Sequence, residues 1–186
     1  MIYPYELLLY LNPANMKKII LSSFLVFIVS AFAFAQRGNN QIGIGAELDI
    51  PLGSFGDAYN MGFGVNVKPM LGIGTSTDQV TFTTGYSTFS GKSGTYYANQ
   101  NFSMVPILFG YRHLFHSGFY LEPQLGLTSN TTKAGSIKYQ ETKFAAALNA
   151  GYSTPMGLDA SIRYHTEGDV LSMLALRLAY NIRLRK

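Results

Sequence analysis

The sequence predicts an all-β fold, an eight-stranded antiparallel transmembrane up-and-down β-barrel that follows a cleaved N-terminal signal peptide. Three observations predict it. Apolar residues recur on alternate positions through most of the chain after Gln36. The alternating segments run to about ten residues, the length a tilted strand needs to cross a bilayer. The composition sets 47% hydrophobic residues against 13% charged ones, well under the roughly 25% charge of soluble domains.

The segments are read with a period of two, because successive strand side chains point to opposite faces. In the first, Ile42, Ile44, Ala46, Leu48 and Ile50 oppose Gly43, Gly45, Glu47 and Asp49. In the second, Phe63, Val65, Val67, Pro69 and Leu71 oppose Gly64, Asn66, Lys68 and Met70. The third is weaker, with Val80, Phe82, Thr84 and Tyr86 against Thr81, Thr83, Gly85 and Ser87. The fourth, 104–115, begins apolar on both faces and then sets Phe109, Tyr111 and Phe115 against Gly110 and Arg112. The fifth opposes Phe119, Leu121, Pro123, Leu125 and Leu127 to Tyr120, Glu122, Gln124 and Gly126. The sixth opposes Phe144, Ala146, Leu148, Ala150 and Tyr152 to Ala145, Ala147, Asn149, Gly151 and Ser153. The seventh sets Leu158, Ala160, Ile162 and Tyr164 against Asp159, Ser161, Arg163 and His165. The eighth is cleanest: Leu174, Leu176, Leu178, Tyr180, Ile182 and Leu184 against Ala175, Arg177, Ala179, Asn181 and Arg183. A helix does not sort residues this way. Pro69 and Pro123 each remove a ladder donor and are expected as local defects. The links alternate in length: short at 74–79, 116–118 and 154–157, longer at 53–61, 90–101 and 129–142.

The polar face is mostly Gly, Ala, Ser, Thr and Asn with isolated charges. A face in water carries about 25–35% charge, whereas small residues suit the narrow interior of eight strands. The apolar face is therefore expected to meet lipid, and a lipocalin-like soluble barrel is the alternative. Aromatics cluster toward the strand ends, as in interfacial girdles.

Upstream, Met16-Lys17-Lys18, the apolar run 19–28 and Ala33-Phe34-Ala35 form the three parts of a secretory signal. The expected organisation is a start-site artefact over 1–15, a signal peptide over 16–35 and the barrel domain over 36–186. A retained helix is the competing reading, but the uncharged stretch of 17 residues is at the short limit for spanning. Without the leader, twelve basic and nine acidic residues leave a net +3. No basic stripe with interleaved aromatics occurs, so nucleic acid is not expected as a partner. The chain has no cysteine, which excludes disulfides and thiolate metal sites. No cofactor fingerprint or metal cluster is read, and Asp57, Asp78 and Asp169 are read as turn residues.

With its leader, eight amphipathic strands and short/long link rhythm, the chain resembles the outer-membrane β-barrel domain family, the porin-like and OmpA/OmpX-type small barrels. The Gly-rich opening Ile42-Gly43-Ile44-Gly45-Ala46-Glu47, then Pro51-Leu52-Gly53, is in the style of that family. The resemblance covers essentially all of the chain after Gln36. It implies export to the cell outer membrane, contact with outer-membrane lipid, insertion by the barrel-assembly machinery and a monomer. Such barrels often end in Phe; this chain ends Tyr180-Asn181-Ile182-Arg183-Leu184-Arg185-Lys186.

The charges expected to point inward are Glu47, Asp49, Lys68, Arg112, Glu122, Asp159, Arg163, Arg177 and Arg183. Buried charges are costly unless paired, so an internal salt-bridge network is expected. A selectivity ring is the alternative, though water-filled porins use 16–18 strands. A Ser-His-Glu lipid A deacylase is the enzyme alternative, on His113, His116, Ser117 and Arg163-Tyr164-His165-Thr166-Glu167. Such a site needs a hydroxyl bonded to a histidine that a carboxylate orients, and adjacent strand residues point to opposite faces. The expected role is non-enzymatic: envelope structure, adhesion or ligand contact through loops such as 91–97, with a narrow channel as the runner-up.

Overall fold

The computed structural model describes residues 39–74, 76–168 and 171–184. The leader, the 1–15 segment, Asp169 and the last two residues lie outside them. Eight strands form: β1 (Gln41–Leu52), β2 (Gly62–Gly72), β3 (Gln79–Ser90), β4 (Gln100–Leu114), β5 (Phe119–Ala134), β6 (Ile137–Ser153), β7 (Leu158–Glu167) and β8 (Leu171–Arg183). Every neighbour pair is antiparallel, and β8 returns to β1 to close the barrel. The closing seam pairs Glu47 with Arg177 and Ile44 with Tyr180.

The alternation sets the two faces. In β2, Phe63 is 69% exposed while Lys68 is fully buried. Ile107, Leu125, Phe144, Leu178 and Tyr180 are likewise exposed on the outside. A continuous apolar belt around the whole surface is far larger than the few hundred Å² that soluble monomers expose. Lipid removes that conflict, and closure satisfies the backbone groups that lipid cannot.

The prolines break the ladder locally, on one side each. The β2–β3 pairing lapses at Pro69, β3–β4 at Pro106 and β4–β5 at Pro123. On their other sides Pro69 pairs with Ile42, Pro106 with Thr128 and Pro123 with Leu148. Phe102, Met104, Pro106 and Leu108 of β4 are all buried on the lumen face, which explains the apolar character of both faces in its first half.

Two expectations are corrected. The link read over 129–142 is not a loop: β5 and β6 run on to Ala134 and Ile137 and turn at Gly135–Ser136. Above the membrane one face of this hairpin is polar and the other mixes Asn130, Thr132 and Glu141 with the exposed Ile137 and Tyr139, so the period-two hydrophobic signal weakens while the pairing continues. With strands of 16 and 17 residues, about six more than a crossing needs, it projects roughly 20 Å along the strand direction. The link after β1 is also not irregular. It contains a short helix, α1 (Gly53–Ala58), which carries Asp57. The links after β2, β4 and β6 and both ends of the described chain share one end of the barrel; α1, the 91–99 loop, the hairpin and the link after β7 share the other. Tight periplasmic turns and longer external loops make the second end external.

Gly126 shows how tightly the walls approach: a Cβ there would lie 2.0 Å from the Ile107 carbonyl oxygen. Wild-type protein is expected to migrate faster unboiled than boiled on a gel. Gly126→Val is expected to lose most of the fast band, whereas Ser136→Ala at the exposed hairpin tip keeps it.

Candidate functional site

The lumen is the first candidate. Eight of the nine charges read as inward-facing, Glu47, Asp49, Lys68, Arg112, Glu122, Asp159, Arg163 and Arg177, are buried there. Arg183 is the exception. It is exposed at the periplasmic end, because β8 outruns the packed lumen there and its last side chain reaches water. Glu167 and His165 are also buried inside.

Two carboxylates organise the centre. Glu122 Oε2 accepts from Lys68 Nζ at 3.0 Å and Arg112 Nε at 3.2 Å. Its Oε1 accepts from Thr81 Oγ1 and Gln124 Nε2, both at 2.7 Å. Asp159 Oδ1 accepts from Arg177 Nη1 and Tyr120 Oη at 2.9 Å each. Its Oδ2 accepts from Arg112 Nη2 and Asn181 Nδ2 at 3.1 Å each. Arg112 therefore bridges both acids, and its guanidinium lies 3.6 Å from the Tyr120 ring centroid. Nearer the external end, Arg163 Nη2 binds Glu47 Oε2 at 2.6 Å. Asp49 is buried beside this pair, and neither of its oxygens has a hydrogen-bond partner. Four buried bases thus meet five buried carboxylates. A selectivity ring needs one dominant sign, and these signs nearly cancel.

Above the charges sits an aromatic cap. Phe55 of α1 points inward, with ring centroids 5.1 Å from Tyr59, 5.2 Å from Phe89 and 5.1 Å from Phe102. Ala58, Met104, Leu171 and Met173 complete this buried cluster. Lys92 ties α1 down by donating its Nζ to the Gly56 carbonyl at 2.5 Å and its backbone N–H to the Ala58 carbonyl at 2.9 Å. The cap is absent from the sequence reading because six residues, Gly-Ser-Phe-Gly-Asp-Ala, are too few to show a helical period. The neutral partners Tyr120 and Gln124 were visible on the polar face of their strand; that they serve Asp159 and Glu122 depends on barrel register.

The histidines fall in separate places. His165 Nε2 lies 3.3 Å from Glu167 Oε1, while its Nδ1 has no partner. The Thr166 hydroxyl turns away to the Gly168 carbonyl and Ser172. His116 and Ser117 are exposed in a periplasmic turn. His113 Nδ1 meets Asp78 Oδ1 at 2.6 Å in a neighbouring turn. That hydrogen bond holds the Asp78 carboxyl below its usual value of 3.8.

The geometry has counterparts among solved structures. Ail, the attachment invasion locus protein of Yersinia pestis, superposes with a TM-score of 0.56 at 14% identity, over 80% of this chain and 100% of that one. Ail in complex with the heparin analogue sucrose octasulfate gives a TM-score of 0.61 at 14% identity over the same shares. Neisserial surface protein A gives 0.59 at 19% identity, over 78% of this chain and 97% of that one. The fold is that of the small outer-membrane barrels. The lipid-compatible belt of this chain agrees with it, and the protein is an integral outer-membrane β-barrel. No family model matches the chain, and no curated protein matches it in sequence.

Glu122→Ala strands Lys68 and Arg112 beside one lost acceptor. It is expected to cost about 3–5 kcal/mol in urea unfolding in micelles, as for other broken buried pairs. Arg183→Ala is expected to stay within about 0.5 kcal/mol. Because the Asp78 contact favours its ionised form, it is present above pH 3.8 and is lost as pH falls through the lower folded value. By NMR titration the Asp78 midpoint should lie below 3.8 and rise toward it in His113→Ala.

Proposed function

We propose that this chain is a non-enzymatic outer-membrane protein that makes contacts through its external end. The observation carrying this reading is the obstructed axis: a near-neutral ion-pair network filling the middle, then the Phe55 cap above it. A lumen so occupied by side chains argues against the channel reading, as the narrow interior of eight strands does. The hydrolase reading lacks its first requirement, since no hydroxyl among the described residues hydrogen-bonds to His165. What remains presented to the surroundings is the projecting β5–β6 hairpin, with Ile137 74% and Tyr139 62% exposed, and the adjoining 91–99 loop. Loops on a rigid scaffold commonly carry contact functions. The attachment name of the similarly folded Ail is consistent with that role. The chain acts as a monomer in outer-membrane lipid, inserted there by the barrel-assembly machinery.

In planar bilayers the purified protein is expected to give no resolved single-channel steps, and a steady unitary conductance would overturn the filled-lumen reading. In adhesion assays on cells displaying the protein, removal of 132–139 should cut binding several-fold while the unboiled gel band persists. A lipid A deacylation assay, with His165→Ala as control, should show no turnover for either protein.

A further inference from the structure

A cavity of about 200 Å³ opens at the external mouth, between the aromatic cap and the inner face of the β5–β6 hairpin. Drug-sized pockets run to about 300–1,000 Å³, so this one fits a single ring. Its two walls differ. One is aromatic: Tyr59, Tyr97 and Phe102, with Tyr59 packed on Phe102 at 5.4 Å and on Tyr97 at 5.5 Å. Tyr97 keeps 39% of its surface exposed and so presents a ring to whatever enters. The other is polar: Asn130 from β5, and Glu141 and Lys143 from β6.

The polar wall has a specific vacancy in its hydrogen bonding. Asn130 is 3% exposed, and its Nδ2 donates to Glu167 Oε2 at 2.5 Å. That bond fixes the amide so that Oδ1 is left without a partner. A buried acceptor left unpaired is unfavourable, and a ligand that donates to it removes that penalty. Beside it Lys143 Nζ holds Glu141 Oε1 at 2.9 Å, each side chain about one-third exposed. The pair orients a carboxylate acceptor and an ammonium donor toward the opening.

We propose that this cavity binds one sugar ring at the end of a glycan, uncharged or amino-bearing. A pyranose has a C–H face that packs on an aromatic ring and an edge of hydroxyls that donate and accept. The Tyr97 wall supplies the first match; Asn130 Oδ1, Glu141 and Lys143 supply the second. Glu141 and Glu167 both line the cavity against a single Lys143, so sulfated or phosphorylated rings are repelled. The lining comes from inward-facing positions above the barrel axis. A glycan therefore enters from outside the cell, not sideways from the glycolipid around the barrel. This inference rests on the reading of the external end as a contact surface, and names the chemistry it contacts.

The test uses isotope-labelled full-length barrel in phospholipid nanodiscs, titrated by NMR with galactose, glucosamine, N-acetylglucosamine and sucrose octasulfate. At least one of the first three should shift the Asn130 side-chain amide with a Kd on the order of millimolar, as a ligand of about a dozen heavy atoms allows. Tyr97→Ala and Glu141→Gln should each weaken that binding about tenfold or more, and Lys138→Ala on the outward hairpin face should leave it unchanged. No shift up to 50-fold the expected Kd, a preference for sucrose octasulfate, or equal loss in Lys138→Ala each overturns the assignment. With lipopolysaccharide added to the nanodisc the affinity should hold; its loss overturns the external source, since the neighbouring glycolipid then occupies the cavity. The planar-bilayer measurement stands apart: a conducting barrel sinks the contact reading whatever the sugars do, and failed titrations with a silent barrel sink only the sugar site.

Discussion

Glu122 and Asp159 are the fixed points of this structure. Each carboxylate is fully buried and receives four hydrogen-bond donors, and Arg112 joins them. An eight-stranded barrel encloses a space only wide enough for side chains, so this chain fills its axis with its own charges. A buried ion is costly unless its partners surround it. The donors come from β2, β3, β4, β5 and β8; Asn149 of β6 holds the Glu122 backbone carbonyl, and Glu47 with Arg163 joins β1 to β7. Every strand is thereby committed to one register. A slip of one residue would turn the charges into lipid, and a slip of two would carry each acid past its donors.

The outside answers to a different constraint. It has no partners to satisfy and needs only to be apolar through the bilayer. It accepts Pro69 and Pro123 because each spoils the ladder on one side only. Above the lipid that requirement ends. β5 and β6 then continue as a mostly polar hairpin, and α1 folds inward to place Phe55 over the charges. The barrel thus has a rigid, occupied middle and a shaped external end.

These two constraints explain what could be read from residues alone. Period-two patterning is imposed by lipid on one side and lumen on the other, so all eight strands were visible where both environments act. It weakens over 129–142, where water lies on both sides, so residues alone read there as a loop. Inward charges are visible as a set, because Glu47 and Arg112 fall on the strand face opposite the apolar one. Which acid meets which base was not, because Lys68 and Glu122 stand 54 residues apart and meet only through barrel stagger. Arg183 follows the same alternation as Arg177, but lies past the point where packing encloses it. The cavity at the mouth was invisible for a similar reason: Tyr97, Asn130 and Glu141 belong to three separate segments and share no motif.

The pairing of Arg163 with Glu47 joins residues 116 positions apart, on the seventh strand and the first. Neither can find the other until the sheet has curled round on itself. A single hairpin such as β1–β2 would bring Glu47, Asp49 and Lys68 into hydrocarbon with few partners, and a lysine or arginine at mid-bilayer costs roughly 2–4 kcal/mol. Insertion one hairpin at a time is therefore uphill for this sequence. The favourable route delivers a cylinder already curled, its polar side turned inward before lipid reaches it. The contacts that hold the finished barrel together thus also dictate the order in which it is made.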